Sequence, residues 1–319
     1  MGIDNASTSL FYELRETIPF SGRAIQLGRQ DTWVTPQQLR LIAAKFGFKT
    51  NIKDDQEIND LILFKELGFS EISSIDYHDY EGAEIIHDFN LPIPNELKGS
   101  FDMVYDGGTL EHIFDIRQSF ENICSLLRPN GLAVHLSPSH NTVDHGFYMF
   151  SPTLFYDYYT ENGFKILKSE LFEFEYKPDG SDSESIVYDY PHPGSINHLG
   201  HGGWGEKVLM TWFVAQKTQY SVYGKIPQQS GYKEVWARHD QPPNISSTPT
   251  ASENRGYIRG VKNIVKKHQF LYKFAKYIYH TVFSPRHWFG KLLFDNEFQF
   301  VMPLRRKITP LRPPVIKRY

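Results

Sequence analysis

Short apolar runs alternate with amphipathic stretches along the first two thirds of the chain. Most of the runs end at an aspartate or a glycine, which is typical of strands that lead into loops. The runs are 23–27 (RAIQL), 72–75 (ISSI), 83–86 (AEII), 101–105 (FDMVY) and 132–136 (LAVHL). Between them, apolar residues recur at helical spacing, most clearly after Thr35-Pro36 and before Gly47. This alternation indicates βαβ units and an α/β fold, with a mostly parallel twisted sheet and helices on both faces.

The same pattern divides the chain into four parts. An amphipathic N-terminal helix is predicted over residues 1–20, followed by one α/β domain over 21–217. Residues 218–255 are predicted to be a linker, because the periodicity fades and the stretch QPPNISSTPTASE follows. Residues 256–319 are predicted to be a basic amphipathic helical tail.

The composition is that of a globular protein with many aromatic residues. Hydrophobic residues make up 40% of the chain and aromatic residues 15%. The single cysteine, Cys124, lies in a predicted helix among apolar residues, so we expect it to be buried in a reducing compartment. No secretory signal or membrane-spanning run is recognised, and a cytoplasmic location is expected.

The net charge of −3 conceals two oppositely charged parts. Residues 255–319 carry 15 Lys and Arg against two acids, a net charge of +13, whereas residues 1–254 carry 19 against 35, a net charge of −16. Such a tail suits an anionic membrane surface, which would hold the protein at the inner face of the membrane. It equally suits a helical appendage that packs on the acidic domain or on another subunit. Nucleic acid is the weaker third alternative, because no RNA-recognition or zinc-finger pattern is found.

Residues 101–138 carry a linked series of motifs. A strand that begins Phe101-Asp102 leads to a turn with Leu110-Glu111-His112, then to a helix, and then to a Leu-x-Pro-x-Gly turn at 127–131. In this order the segment resembles class I S-adenosylmethionine-dependent methyltransferases of the type that modify small molecules. The resemblance implies a Rossmann-like fold, S-adenosylmethionine as cofactor and methyl transfer as the reaction. The alternative is a generic α/β unit without this activity.

Acidic residues follow the predicted strands where the resemblance expects cofactor contacts. Asp76 matches the acid that holds the ribose hydroxyls, and Asp79 is the fallback if the strand ends later. A carboxylate suits a diol because it can accept a hydrogen bond from each hydroxyl. Asp88 matches the acid near the adenine amino group, with Phe89 against the ring. The turn Asp106-Gly107, after the next strand, completes this set. Each acid alone would suit an ordinary loop or capping carboxylate, and their order favours binding.

The first motif departs from the resemblance. The family usually ends its first strand with several glycines, but only Gly28 stands here, in AIQLGRQD. Arg29 is expected to pair with the cofactor carboxylate in their place, although a surface arginine is the equally good alternative. The missing Gly-x-Gly-x-x-Gly argues against a nicotinamide enzyme, and no phosphate-binding P-loop is found.

Histidines after the later strands are the candidates for the chemistry. His145 is the preferred general base, beside the expected acceptor-binding residues Asn141, Phe147 and Tyr148. His112, His198 and His201 are the further candidates. For each of them a plain loop histidine is the alternative. No metal is expected, because His198 and His201 lack cysteine partners and no acidic cluster is recognised.

The sequence therefore predicts a cytoplasmic methyltransferase that acts on a hydroxyl of a small or carbohydrate-type acceptor. Two other functions remain. One is a degenerate methyltransferase fold that serves as a binding or scaffold subunit in surface-polysaccharide assembly, which the reduced glycine motif favours. The other is a nucleic-acid methyltransferase directed by the basic tail.

Overall fold

The computed structural model describes residues 2–174, 185–197, 199, 203–239 and 305–308. The chain divides into two compact units. The first comprises Met1–Pro193, Glu206–Gln229 and Met302–Tyr319, and the second comprises Gly194–Gly205 and Ser230–Val301.

Strands and helices alternate through the first unit. The strands are β1 (Gly2–Ile3), β2 (Arg23–Leu27), β3 (Asp31–Thr32), β4 (Glu71–Asp76), β5 (Ile85–Ile86), β6 (Phe101–Asp106), β7 (Leu127–His140), β8 (Lys165–Phe174), β9 (Ser185–Asp189), β10 (Val208–Gln216) and β11 (Arg305–Ile308). The helices are α1 (Asn5–Thr17), α2 (Pro36–Lys45), α3 (Asp60–Leu67), α4 (Ile116–Leu126), α5 (Pro152–Glu161) and, in the second unit, α6 (Ser230–His239). Short 3-10 turns cover Asn95–Leu97 and Leu110–His112.

Nine of the described strands form one sheet, in the order β11-β9-β8-β10-β7-β6-β2-β4-β5. The pairs from β7 to β5 are parallel, and those that involve β10, β8, β9 and β11 are antiparallel. The short strands β1 and β3 pair separately. In the parallel half the carboxyl ends of β4, β2 and β6 meet at one edge, where ligands of such sheets bind.

Local sequence signals begin and end the helices where the hydrophobic pattern predicts. Thr35 caps α2, since its side chain accepts a hydrogen bond from the Gln38 backbone N–H, and Pro36 occupies the first turn. Gly68 ends α3 with a φ of 118°, a conformation that favours glycine. Asp115 caps α4 through the Gln118 backbone N–H.

Two apolar cores cover the two faces of the sheet. Successive side chains of β6 and β10 point to opposite faces of the sheet. Tyr105 and Trp212 therefore lie in one core, and Val104 and Phe213 lie in the other. Phe11 of α1 packs edge-on against both Tyr105 and Trp212, at 5.1 and 5.2 Å between ring centroids. The layered α/β arrangement predicted from the sequence is thus confirmed, with a large central sheet flanked by helices.

The chain after β10 differs from the predicted domain plan. Residues 218–225 belong to the first unit, because the Asn162 side chain donates to the Lys225 carbonyl and accepts from its N–H. Residues 230–239, within the predicted linker, form α6. Residues 305–308, within the predicted helical tail, form β11 and pair with the free edge of β9. The rest of the tail, and the stretch 241–253, lie outside the described residues.

Cys124 is fully buried, as predicted, and burial raises the pKa of its thiol to about 12. This thiol therefore stays protonated and unreactive near neutral pH. Within the part of the chain that the structure describes, no helix has the length and apolar character needed to cross a membrane.

Candidate active site

A cavity of about 240 Å³ lies at the carboxyl ends of β2 and β4. Its walls bring together three of the predicted cofactor residues, Asp76, Asp88 and Phe89. The remaining lining residues are Leu27, Ile75, Tyr77, His87, Asn90, Thr109, His112 and Ile113. The predicted convergence of strand-end acids on one crevice is therefore observed. Their contact with a cofactor stays a prediction.

Gly28 lets the backbone turn tightly beside this cavity. Its φ is 68°, and its N–H donates to the Ile75 carbonyl at 2.9 Å. A Cβ at this position would lie 3.3 Å from Asp76 Oδ2 and 3.4 Å from Thr109 Oγ1. Because an L side chain is strained at this φ and would intrude between those groups, glycine keeps this wall free. Thr109 locks the turn by donating its hydroxyl to the Leu27 carbonyl at 2.6 Å.

The two acids of the cavity keep acceptor oxygens available. Asp76 Oδ1 accepts a hydrogen bond from the Tyr77 N–H at 2.6 Å. Its Oδ2 has no hydrogen-bond partner among the described residues. Asp88 Oδ1 accepts from the Asn90 side-chain amide and backbone N–H at 2.8 and 2.9 Å, and these bonds lower the pKa of Asp88. Ionised carboxylates accept hydrogen bonds only, so both side chains suit the hydroxyl or amino donors of a nucleoside. The fallback Asp79 is exposed and pairs with His78 at 3.0 Å, away from the cavity lining.

Arg29 has a different partner from the one expected. Its guanidinium pairs with Asp60 at 2.7 Å and with Glu84 at 3.2 Å. Asp60 is almost fully buried at the start of α3 and needs a compensating cation, which Arg29 supplies. In this structure the charge of Arg29 is therefore paired within the protein, and its contact with a cofactor carboxylate stays a prediction.

Asp106 is a structural acid in this structure. It is completely buried, and its Oδ1 accepts from the N–H groups of Thr109 and Leu110 at 3.0 and 3.2 Å. Its Oδ2 contacts His135 Nδ1 at 2.9 Å and accepts from the Ser137 hydroxyl at 2.8 Å. These four partners hold the Leu-Glu-His turn in place, and the cofactor contact of Asp106 stays a prediction.

Gly107 also serves packing rather than the cavity. A Cβ there would lie 2.4 Å from the Gln30 side-chain oxygen and 2.8 Å from the Tyr105 ring. The position therefore needs glycine because of its close neighbours. Gly107 does not line the cavity with Asp76 and Asp88.

The turn held by Asp106 brings Glu111 and His112 next to His145, and we name these three residues the Glu111 cluster. Glu111 Oε1 lies 3.6 Å from His145 Nε2 and 4.0 Å from His112 Nε2. The two imidazole rings meet edge to face at 5.0 Å between centroids. Burial, reinforced by the negative charge of Asp106, raises the pKa of Glu111 to about 8. Burial and the nearby His145 lower the pKa of His112.

His112 connects the Glu111 cluster to the cavity, because it lines the cavity as well. The predicted candidates His112 and His145 are therefore adjacent to each other and to the predicted nucleoside crevice. Glu111 was recognised only as part of a motif, and its function as a buried acid beside His145 was missed. The sequence shows Glu111 in this turn but does not indicate its neighbour, because His145 lies 34 residues further along the chain.

The loop after β7 is fastened to this turn through its backbone. The Glu111 carbonyl accepts from the N–H groups of Phe147 and Tyr148 at 2.7 and 3.2 Å. The Phe147 ring is 66% exposed, whereas the Tyr148 hydroxyl donates to the Phe114 carbonyl at 2.8 Å. Asn141 donates to the Lys207 carbonyl at 2.9 Å. Of the three predicted acceptor contacts, Phe147 thus presents the freest surface.

Two histidine candidates remain. His198 and His201 lie outside the described residues, and their predicted roles stay predictions. His192 is exposed, and its Nδ1 lies 3.0 Å from the Pro193 carbonyl.

Comparisons with known proteins give a distant likeness. No family model matches the chain, and no curated protein matches it. Among solved structures, the chain is similar to 1,6-didemethyltoxoflavin-N1-methyltransferase of Burkholderia thailandensis, crystallised with 1,6-didemethyltoxoflavin and S-adenosylhomocysteine. The identity is 12%, the TM-score is 0.36, and the match covers 67% of this chain and 79% of that one.

Two further structures show a similar degree of likeness. TehB from Haemophilus influenzae has 10% identity and a TM-score of 0.36, with 66% of this chain and 62% of that chain covered. The YcgJ protein from Bacillus subtilis has 12% identity and a TM-score of 0.35, with 66% and 99% covered. Because these scores are low, the likeness does not indicate a function for this chain. The geometry of the site is the basis for one.

Proposed function

We propose that this protein is an S-adenosylmethionine-dependent methyltransferase that methylates a hydroxyl of a small, carbohydrate-type acceptor. One observation carries the proposal: Asp76, Asp88 and Phe89 line a single cavity beside the Gly28 turn, and His112 connects that cavity to a second polar cluster. A pocket with apolar walls and a few convergent polar groups is suited to a nucleoside.

In this proposal each side of the cavity binds one part of the cofactor. Asp76 accepts hydrogen bonds from the two ribose hydroxyls. Its Oδ2, which faces the Gly28 turn, is available for them. Asp88 accepts from the adenine amino group, and the largely buried Phe89 packs against the ring. Arg29 takes no part, since its charge is already paired with Asp60 and Glu84.

The reacting methyl group would then point toward the Glu111 cluster. The acceptor oxygen attacks the methyl carbon, a C–O bond forms, and the C–S bond breaks with its electron pair passing to sulfur. His145, whose Nε2 lies 3.6 Å from Glu111 Oε1, receives the hydroxyl proton in this proposal. Positioning supplies most of the acceleration in such an in-line transfer.

The carbohydrate part of the proposal is supported by the loop after β7. Phe147 is exposed beside His145 and packs edge-on against Phe114 at 5.9 Å. An exposed ring next to hydrogen-bonding groups suits a sugar, which offers both an apolar C–H face and hydroxyls. The Tyr148 hydroxyl already donates to the Phe114 carbonyl, so its oxygen would act as an acceptor.

Calorimetric titration with S-adenosylmethionine tests the cofactor assignment. Binding by the wild-type chain that is lost in Asp76→Ala, with Asp79→Ala as the matched control, supports the enzyme. Absence of binding by the wild-type protein would contradict it and favour the scaffold alternative. Transfer of labelled methyl groups into a cell extract, followed by mass analysis of the product, then identifies the acceptor and tests the hydroxyl assignment.

A further inference from the structure

The Glu111 cluster contains a buried carboxylate that the protein leaves without a hydrogen bond. Glu111 is fully buried, and neither Oε1 nor Oε2 has a hydrogen-bond partner among the described residues. Leaving such a group unsatisfied costs about 1–3 kcal/mol, and more if it is charged. A bound partner that contacts the carboxylate oxygens would remove this cost.

The two histidines provide a place for such a partner. His145 Nε2 and His112 Nε2 lie 3.6 and 4.0 Å from Glu111 Oε1. One ligand atom from each of the three residues lies within 4.8 Å of the other two. Glu111 is anchored from behind, because its carbonyl accepts two N–H bonds from the loop after β7 and its turn is held by Asp106.

These three ligands define the class of ion that fits. Two imidazole nitrogens and one carboxylate oxygen suit a divalent transition-metal ion such as Zn²⁺, Mn²⁺ or Fe²⁺, whereas Mg²⁺ and Ca²⁺ prefer oxygen ligands throughout. Metal–ligand bonds of about 2.0–2.1 Å bring neighbouring ligand atoms to roughly 3 Å from each other. The present ligand atoms lie within 4.8 Å of one another, so the exposed side chains of His112 and His145 would have to rotate closer to Glu111 to bind an ion.

We propose that Glu111, His112 and His145 bind one divalent transition-metal ion. Solvent reaches the site through the two exposed imidazoles, and the buried carboxyl group of Glu111 supplies a negative charge to the ion once the ion displaces its proton. Three protein ligands leave positions free for water or for an oxygen of another molecule, as in catalytic metal sites. This differs from the sequence expectation of no metal, which considered clusters of acids and the pair His198 and His201.

The inference deepens the proposed function and rests on it for its biological meaning. An ion at this position lies next to the proposed acceptor site, where it would orient and acidify a hydroxyl in place of the free His145 imidazole. Binding of the ion itself does not depend on the methyl donor, so the two proposals fail separately.

The test uses the full chain, freed of any histidine tag and of metal, and titrated with Co²⁺. Co²⁺ bound to nitrogen and oxygen ligands absorbs visible light, and Zn²⁺, which has a filled d shell, displaces it without absorbing. We expect one equivalent of Co²⁺ to bind and one equivalent of Zn²⁺ to remove the signal. His145→Gln and Glu111→Gln should each weaken binding by more than about 100-fold, since loss of an outer-shell partner alone costs about 10- to 100-fold.

His192→Gln is the matched control, because it removes an exposed histidine outside the cluster and should bind Co²⁺ as the wild type does. His145 is exposed, so its replacement leaves the fold intact, which a thermal melt checks. Absence of stoichiometric Co²⁺ binding by the wild type would overturn the proposal, as would equal binding by wild type and His145→Gln. S-adenosylmethionine titration of the same variants reports on the proposed function separately.

Discussion

Two strand-end acids, Asp76 and Asp106, occupy equivalent places in the sequence pattern and have opposite surroundings. Asp76 ends β4 at the wall of a cavity, with one carboxylate oxygen bonded to the next N–H and the other facing the Gly28 turn. Asp106 ends β6 in the interior, with four partners on its two oxygens. The first acid is available to a ligand, whereas the second holds the protein together.

The difference follows from what lies beyond each strand. After β6, the chain turns back through Leu110–His112, and its N–H groups point at Asp106 as they would at a helix-capping residue. After β4, the exposed Tyr77 and the residues that follow lead the chain outward. The availability of a strand-end carboxylate to a ligand therefore depends on whether nearby donors occupy both of its oxygens, as at Asp106, or only one, as at Asp76.

Removal of the Asp106 carboxylate should have the largest effect. In Asp106→Ala, the His135 and Ser137 side chains and the turn N–H groups lose a buried acceptor, and we expect a loss of about 3–5 kcal/mol in the free energy of unfolding. Chemical denaturation measures this. Asp76→Ala, the matched control, should change the free energy of unfolding by less than about 1 kcal/mol. Equal losses of unfolding free energy in the two variants would contradict the distinction between a structural Asp106 and an available Asp76.

Asp76→Ala should have the complementary effect on ligand binding. Loss of hydrogen bonds to a charged acceptor, worth about 1.5–3 kcal/mol, should weaken S-adenosylhomocysteine binding by roughly 10- to 100-fold. Isothermal titration calorimetry measures the change. If the affinity were the same as in the wild type, Asp76 would not be a ribose-binding residue.

Gly28→Ala sharpens the comparison at the backbone next to Asp76. A φ of 68° disfavours an L side chain by about 1–2 kcal/mol, and the new Cβ would stand 3.3 Å from Asp76 Oδ2. We expect a fall in stability of this size together with weaker ligand binding. Gly82→Ala, which has a φ of 77° and open space around its Cβ, is the control for the strain alone. If both variants bound ligand equally well, the close approach at Gly28 would have no bearing on the cavity.

Phe89→Leu should give the smallest effect. Leucine keeps the apolar wall of the cavity but removes ring packing worth about 0.5–1.5 kcal/mol, so ligand affinity should fall by a few-fold up to roughly tenfold. The free energy of unfolding should fall by about 1–2 kcal/mol, since leucine keeps most of the buried apolar surface but is smaller than phenylalanine. A fluorescence competition assay resolves such a change. An unaltered affinity would place the ligand ring elsewhere.

The hydrophobic pattern was sufficient for the layered fold and for the positions of the parallel strands along the chain, because both follow from local periodicity and from the residues that cap each element. It also placed Asp76, Asp88 and Phe89 correctly at strand ends that meet at one edge. The second half of the sheet was predicted less completely. Strand β9 was not recognised, and β11 lay in a segment read as helical.

The features of the site that the sequence did not predict are contacts between residues distant along the chain. Arg29 is paired with Asp60, 31 residues away, and Asp106 with His135, 29 residues away. His145 lies next to Glu111 because the loop after β7 is hydrogen-bonded to the Leu-Glu-His turn. No local pattern indicates which charged residue will be buried beside which partner, and so the sequence identified the residue types but not the partners of Arg29 and Asp106.

A crystal structure of the protein with S-adenosylhomocysteine tests the central claim most directly. We predict the ribose hydroxyls within hydrogen-bond distance of Asp76, and the adenine ring between Asp88 and Phe89, with the sulfur directed toward the Glu111 cluster. A ligand bound elsewhere, with this cavity holding only water, would contradict the account.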